Sequence, residues 1–178
     1  MTLTVIGSNT IVPGTAATIT VAGDDLILVE GVRLVSTAGT GISVLASDTT
    51  TYIEGSLTAA GRAFDEALSS GSTRLFVGET GRITSFLSSS NDAGVVIFGS
   101  GSAVNNKGQI TAPEIIAVYL GGAGGEVVNA GSISGTTGVQ FADGATGSRL
   151  VNQGDILGSG LFDGTQGLFE GRGIFVQA

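Results

Sequence analysis

Three segments of the chain repeat one another at a fixed interval. Val104-Asn105-Asn106-Lys107-Gly108-Gln109-Ile110, Val127-Val128-Asn129-Ala130-Gly131-Ser132-Ile133 and Leu150-Val151-Asn152-Gln153-Gly154-Asp155-Ile156 agree position by position at a spacing of 23 residues. A repeat of that length is one supersecondary unit, and it holds too few apolar side chains to close a core of its own. It must stack on its neighbours. Weaker copies lie upstream, at Thr80-Gly81-Arg82-Ile83, Glu54-Gly55-Ser56-Leu57 and Glu30-Gly31-Val32, where the marker glycines stand 27, 26 and 24 residues apart.

A second apolar segment follows each marker: Gly41 to Leu45, Gly61 to Phe64, Gly94 to Phe98, Ile115 to Leu120, Gly138 to Phe141 and Gly160 to Phe162. Short segments with alternating apolar positions, separated by Gly, Ser, Asn and Asp, read as half-buried strands joined by tight turns. Thr58 to Leu68 is rich in Ala and could pass for helix, but it aligns with the second strand of its repeat and is read as strand. The expected fold is therefore all-β: a single parallel β-solenoid over residues 1–178, of about seven coils of two or three strands each. Residues 1–24 would form a first coil or N-terminal edge, 104–156 the most regular repeats, and 168–178 the last strand. Right-handed winding is the usual expectation for parallel crossovers.

Such stacking puts like residues in columns. Asn106, Asn129 and Asn152 are expected to form an amide ladder, with Gly108, Gly131 and Gly154 at the following turn and Ile110, Ile133 and Ile156 pointing into the tube. Glu126, Arg149 and Arg172 also fall 23 apart, so an outer ion pair between the first two is expected.

Composition then narrows function. The chain has no His and no Cys, which removes Ser-His-Asp and Cys-His catalysis and the usual zinc sites. A net charge of −8 repels phosphate backbones, so nucleic acid is not an expected partner. With 42% hydrophobic and 12% charged residues, the chain should collapse into an ordered core. No run of apolar residues is long enough for a membrane helix, and Met1 to Gly7 does not resemble a Sec-type signal. Grouped carboxylates could still cleave polysaccharides. Yet the adjacent pairs, Asp24 with Asp25 and Asp65 with Glu66, would diverge on a strand, and Tyr52 and Tyr119 are the only rings besides phenylalanines. Ice binding would need a threonine row repeated on every coil, which Thr18 to Thr20 and Thr49 to Thr51 do not supply.

The segments Val128 to Val139 and Leu150 to Ile156 resemble the "VNxGxI-GxxxGV" coils of bacterial surface β-helices, and Asp24 to Val32 is similar to the way RTX-associated coils begin. These coils occur in autotransporter passenger domains and in the N-terminal regions of RTX-type calcium-binding proteins. The resemblance, over about residues 20 to 165, implies a surface or extracellular location and, on the RTX side, type I export without a cleaved signal peptide. Gly173 to Ala178 would then be the candidate C-terminal signal. No cofactor is expected. Calcium stays open as a ligand on the resemblance alone, because the chain lacks a tandem Gly-Gly-x-Gly-x-Asp array and shows only isolated turns such as Asp143-Gly144 and Asp163-Gly164.

The first strands, Leu3 to Ile6 and Thr18 to Val21, and the last, Gly173 to Val176, read as ordinary coil strands without a cap. Leu3, Val5, Ile19, Val21, Ile174 and Val176 are therefore the expected assembly edges, through which protomers would stack head to tail into a filament or another homo-oligomer. The alternatives are an adhesin or spike whose coils recognise a cell surface or glycan, and a polysaccharide-cleaving β-helix enzyme.

Overall fold

The computed structural model describes residues 1–66, 71–89 and 92–159, and the backbone of 172–176. Among these residues there is no helix, and every strand pairing is parallel. Over the described residues the chain winds through about seven coils. Coil 1 carries β1 (Leu3–Ile6), β2 (Thr10–Val12) and β3 (Ala17–Ile19); coil 2 carries β4 (Asp25–Leu28), β5 (Arg33–Ser36) and β6 (Ile42–Val44). Coil 3 carries β7 (Thr49–Ile53), β8 (Ser56–Ala59) and β9 (Phe64–Glu66); coil 4 carries β10 (Thr73–Val77), β11 (Arg82–Ser85) and β12 (Ala93–Ile97). In coils 5 and 6 a short strand, β13 (Ala103–Asn106) or β15 (Glu126–Asn129), is followed by a long one, β14 (Gln109–Leu120) or β16 (Ser132–Phe141). Coil 7 carries β17 (Arg149–Asn152), β18 (Asp155–Gly158) and β19 (Arg172–Val176).

The strands stack into three faces. The first face runs β1-β4-β7-β10-β13-β15-β17. The second runs β2-β5-β8-β11 and continues through the first halves of β14 and β16 to β18; the third runs β3-β6-β9-β12 and continues through their second halves to β19. β14 therefore serves two faces, and it bends between them. Its register with β16 slips between Ala112 and Ile116, where Pro113 and Glu114 stand exposed. Proline has no N–H to give a ladder, so the bend falls where the ladder can spare a donor.

Alternation along each strand sorts side chains inward and outward. In β4 and β15 the first and third residues are partly exposed and the second and fourth buried. One inward column on the second face is Leu34, Leu57, Ile83, Ile110, Ile133 and Ile156, so the expected Ile110-Ile133-Ile156 stack is the upper half of a longer one. On the third face, Ile42, Phe64, Val95, Val118 and Val139 fill the tube opposite it. Each fully buried side chain of this kind contributes roughly 1.5–3 kcal/mol before ordering entropy is set against it.

The period is strict only in the upper coils. Asn106, Asn129 and Asn152 pair at 23-residue spacing, whereas Phe64 faces Val95, 31 residues on. Most of the extra residues lie in the connection from β11 to β12. Here Arg62 clips the connection back, its Nε 2.7 Å from Asp92 and its Nη1 2.7 Å from Asp65. Burial works against the guanidinium's charge, but the hydrogen bonds to Asp92 and Asp65 outweigh it and raise the Arg62 pKa above its ordinary value.

The expected apolar segment Gly160 to Phe162 lies outside the described residues. The strand that pairs with the second half of β16 is β19, with Val139 opposite Ile174 and Phe141 opposite Val176. Arg172 accordingly faces Thr137 on the third face and does not extend the Glu126-Arg149 column on the first. β18 ends at Gly158 and β19 begins at Arg172, so the 23-residue count does not hold across this stretch. Thr58 and Ala59 are strand, as read, while Ala60 to Ala63 form the turn before β9.

Candidate functional site

The amide column runs along the inner edge of the first face. Asn106 Nδ2 donates to Asn129 Oδ1 at 2.7 Å, and Asn129 Nδ2 donates to Asn152 Oδ1 at 2.8 Å. Each amide also donates to the carbonyl of the turn glycine two residues on, Gly108, Gly131 or Gly154, and Asn106 and Asn129 reach in addition the carbonyls of Ser132 and Asp155, the first strand residues of the second face in the next coil. Below Asn106 the same column is apolar, with Val77, Ile53, Leu28 and Ile6 in successive coils. The Asn106 Oδ1 that faces Val77 is buried and has no hydrogen-bond partner.

The marker glycines line the neighbouring turn. A Cβ on Gly108 would overlap the carbonyls of Gly81 and Gly78, one on Gly131 the carbonyl of Gly108, and one on Gly154 the carbonyl of Gly131. Backbone of one coil lies directly on backbone of the next, leaving no room for a side chain.

The acids do not converge. Asp65 turns outward to Arg62, while Glu66 turns inward, fully buried, where it accepts the N–H of Gly99 at 3.1 Å and the hydroxyl of Ser102 at 3.4 Å. Asp24 accepts the N–H of Thr2, and Asp25 accepts the N–H of Thr50 at 3.0 Å. Glu126 and Arg149 form an outer ion pair at 2.6 Å. Among the described residues no three His, Cys, Asp or Glu side chains group as metal ligands, and no helix is long and apolar enough to cross a membrane.

One row went unseen in the sequence. Thr58, Thr84, Thr111 and Ser134 share an outward column on the second face, and Ser134 Oγ donates to Thr111 Oγ1 at 3.4 Å. Their spacings of 26, 27 and 23 residues hide the column until register is known. Arg82 and Gln109, hydrogen-bonded to one another, stand beside it and break its flatness.

The expected assembly edges divide. Leu3 and Val5 are exposed on β1, which pairs with β4 alone. Ile19 faces the core from β3, so only its backbone belongs to an edge, and Val21 lies in the turn after β3 rather than in a strand. Ile174 and Val176 lie on β19, which pairs with β16. Among the described residues, β1, β2 and β3 have no partner below them, and β17, β18 and β19 none above. Leu3, Val5, Ile11 and Val21 of coil 1, and Val151 and Leu157 of coil 7, are exposed at these two ends. No protein family model matches the chain, and neither a curated protein nor a solved structure matches it significantly.

Proposed function

We propose that the chain is a structural, non-enzymatic subunit that stacks head to tail into a filament or matrix outside the cell or on its surface. The carrying observation is that coils 1 and 7 both present a parallel ladder edge that is unpartnered among the described residues, with apolar side chains exposed beside it. Such an edge is a template for another strand, and a heterologous contact that repeats without closing builds a fibre. The resemblance to autotransporter and RTX-associated coils supports the location and an export route without a cleaved signal peptide. Divergence of Asp65 from Glu66 supports a role without catalysis.

A second reading is an adhesin-like binding module, favoured by the Thr58-Thr84-Thr111-Ser134 hydroxyl row, which offers hydrogen bonds to a cell-surface glycan along one face. Negative-stain electron microscopy with sedimentation of the purified chain separates the two. Filaments that lengthen with concentration support assembly; a monodisperse particle at high concentration contradicts it.

A further inference from the structure

The strand edges of coils 1 and 7 that are unpartnered among the described residues also bear on how one copy would meet the next. We propose that coil 7 of one protomer receives coil 1 of a second copy of this chain in the same register that joins coils within the molecule, so that all three faces run on unbroken. This rests on the head-to-tail reading above and adds the register to it.

Each column can be followed from one end to the other. On the first face the outward column passes from Val5 through Ile27, Tyr52, Phe76, Asn105 and Val128 to Val151. On the second it passes from Ile11 through Val35, Thr58, Thr84, Thr111 and Ser134 to Leu157. Continuing both columns by one coil sets the next copy's Val5 on Val151 and its Ile11 on Leu157. These residues are 56% and 37%, and 71% and 60%, exposed in the isolated chain. The middle of the Ile11 column carries hydroxyls, yet both of its ends are large and apolar. Stacking therefore sets exposed apolar side chains at one end against exposed apolar side chains at the other on both faces, which is what a contact between copies requires.

The inner columns tolerate the same junction. Asn152 would lie under the second copy's Ile6, the reverse of the Val77-to-Asn106 step already present inside the tube. In coils 5 and 6 the asparagine also reaches the carbonyl of the first second-face residue of the next coil, Ser132 or Asp155. Asn9, just before Thr10 on β2, holds the matching place in coil 1, so its carbonyl is the acceptor waiting for Asn152 Nδ2.

The chain contains no cysteine, so paired substitutions report on this contact alone. Neighbouring parallel strands lie about 4.8 Å apart, within the Cα separation a disulfide spans. Val5 and Val151 are six coils apart within one chain, roughly 29 Å, and cannot bridge intramolecularly. After mild oxidation of assembled protein, Val5→Cys/Val151→Cys should run on a non-reducing gel as a ladder of covalent dimers, trimers and longer species. Ile11→Cys/Leu157→Cys should do the same on the second face, and guards against misfolding of the first variant. Val5→Cys/Leu157→Cys places its thiols on different faces and should stay monomeric. Filaments that form while both in-register pairs remain uncoupled would overturn the register but leave assembly intact. Wild-type chain that stays monomeric in sedimentation overturns assembly itself.

Discussion

Asn129 stands between two other amides with all its hydrogen-bonding groups engaged, whereas Asn152 closes the column at an exposed end. Removing the middle amide strands buried partners; removing the last leaves groups that water can reach. In the dilute monomer, Asn129→Ala should cost about 1–3 kcal/mol in urea denaturation and Asn152→Ala less than about 1 kcal/mol. Equal costs would contradict the ladder. Thr51 poses the opposite case. It points inward between Leu26 and Leu75, and its buried Oγ1 has no partner. Thr51→Val keeps the shape and removes the orphaned hydroxyl, so it should stabilise the fold by about 1 kcal/mol; a loss of stability would place an acceptor there. The asparagines were legible in the sequence because their spacing is constant at 23 residues. Val77, Ile53 and Leu28 occupy the same column at unequal spacings and are chemically unlike it, so only the strand register reveals them.

At the scale of strands and turns, pattern reading found most segments because alternation and turn chemistry are local. It failed where a connection changes length. The run from β11 to β12, and the distance in sequence from β18 to β19, put the third face out of step with the first, so that Val139 stands opposite Ile174, 35 residues on, and not at the 23-residue interval. The hydroxyl row was hidden for the same reason. Arg62 is what closes the β11-β12 connection onto its neighbours, through a partly exposed pair of salt bridges. Exposure limits their worth, so Arg62→Ala should lower global stability by no more than about 1 kcal/mol. Its larger effect should be local: faster hydrogen exchange at the Ala63 amide, which donates to the Gly94 carbonyl across that junction at 2.8 Å. Unchanged exchange there would mean that the ladder, and not the ion pairs, holds the connection in place. Gly131→Ala tests the close stacking of turns, and should be far more damaging than an exposed-turn substitution because the new Cβ meets the Gly108 carbonyl.

For the whole molecule the same three parallel faces run along the axis, and the ends differ from the middle in their pairing. Interior strands are partnered on both sides; the strands of coils 1 and 7 are partnered on one side only among the described residues. A net charge of −8 opposes association of copies. Raising the salt from low concentration to about 0.15 M, where charges are screened beyond about 8 Å, should therefore shorten the lag before filaments appear in light scattering. A lag that lengthens with salt would instead assign the contact to attraction between charges. The central claim, that the ladder continues from one copy into the next, is tested most directly by the axial repeat of the assembled protein in cryo-electron microscopy. Seven coils stacked in register predict filaments with an axial strand spacing of about 4.8 Å and a subunit rise of about 34 Å. A monodisperse particle at high concentration, or filaments whose rise does not correspond to seven coils, would contradict it.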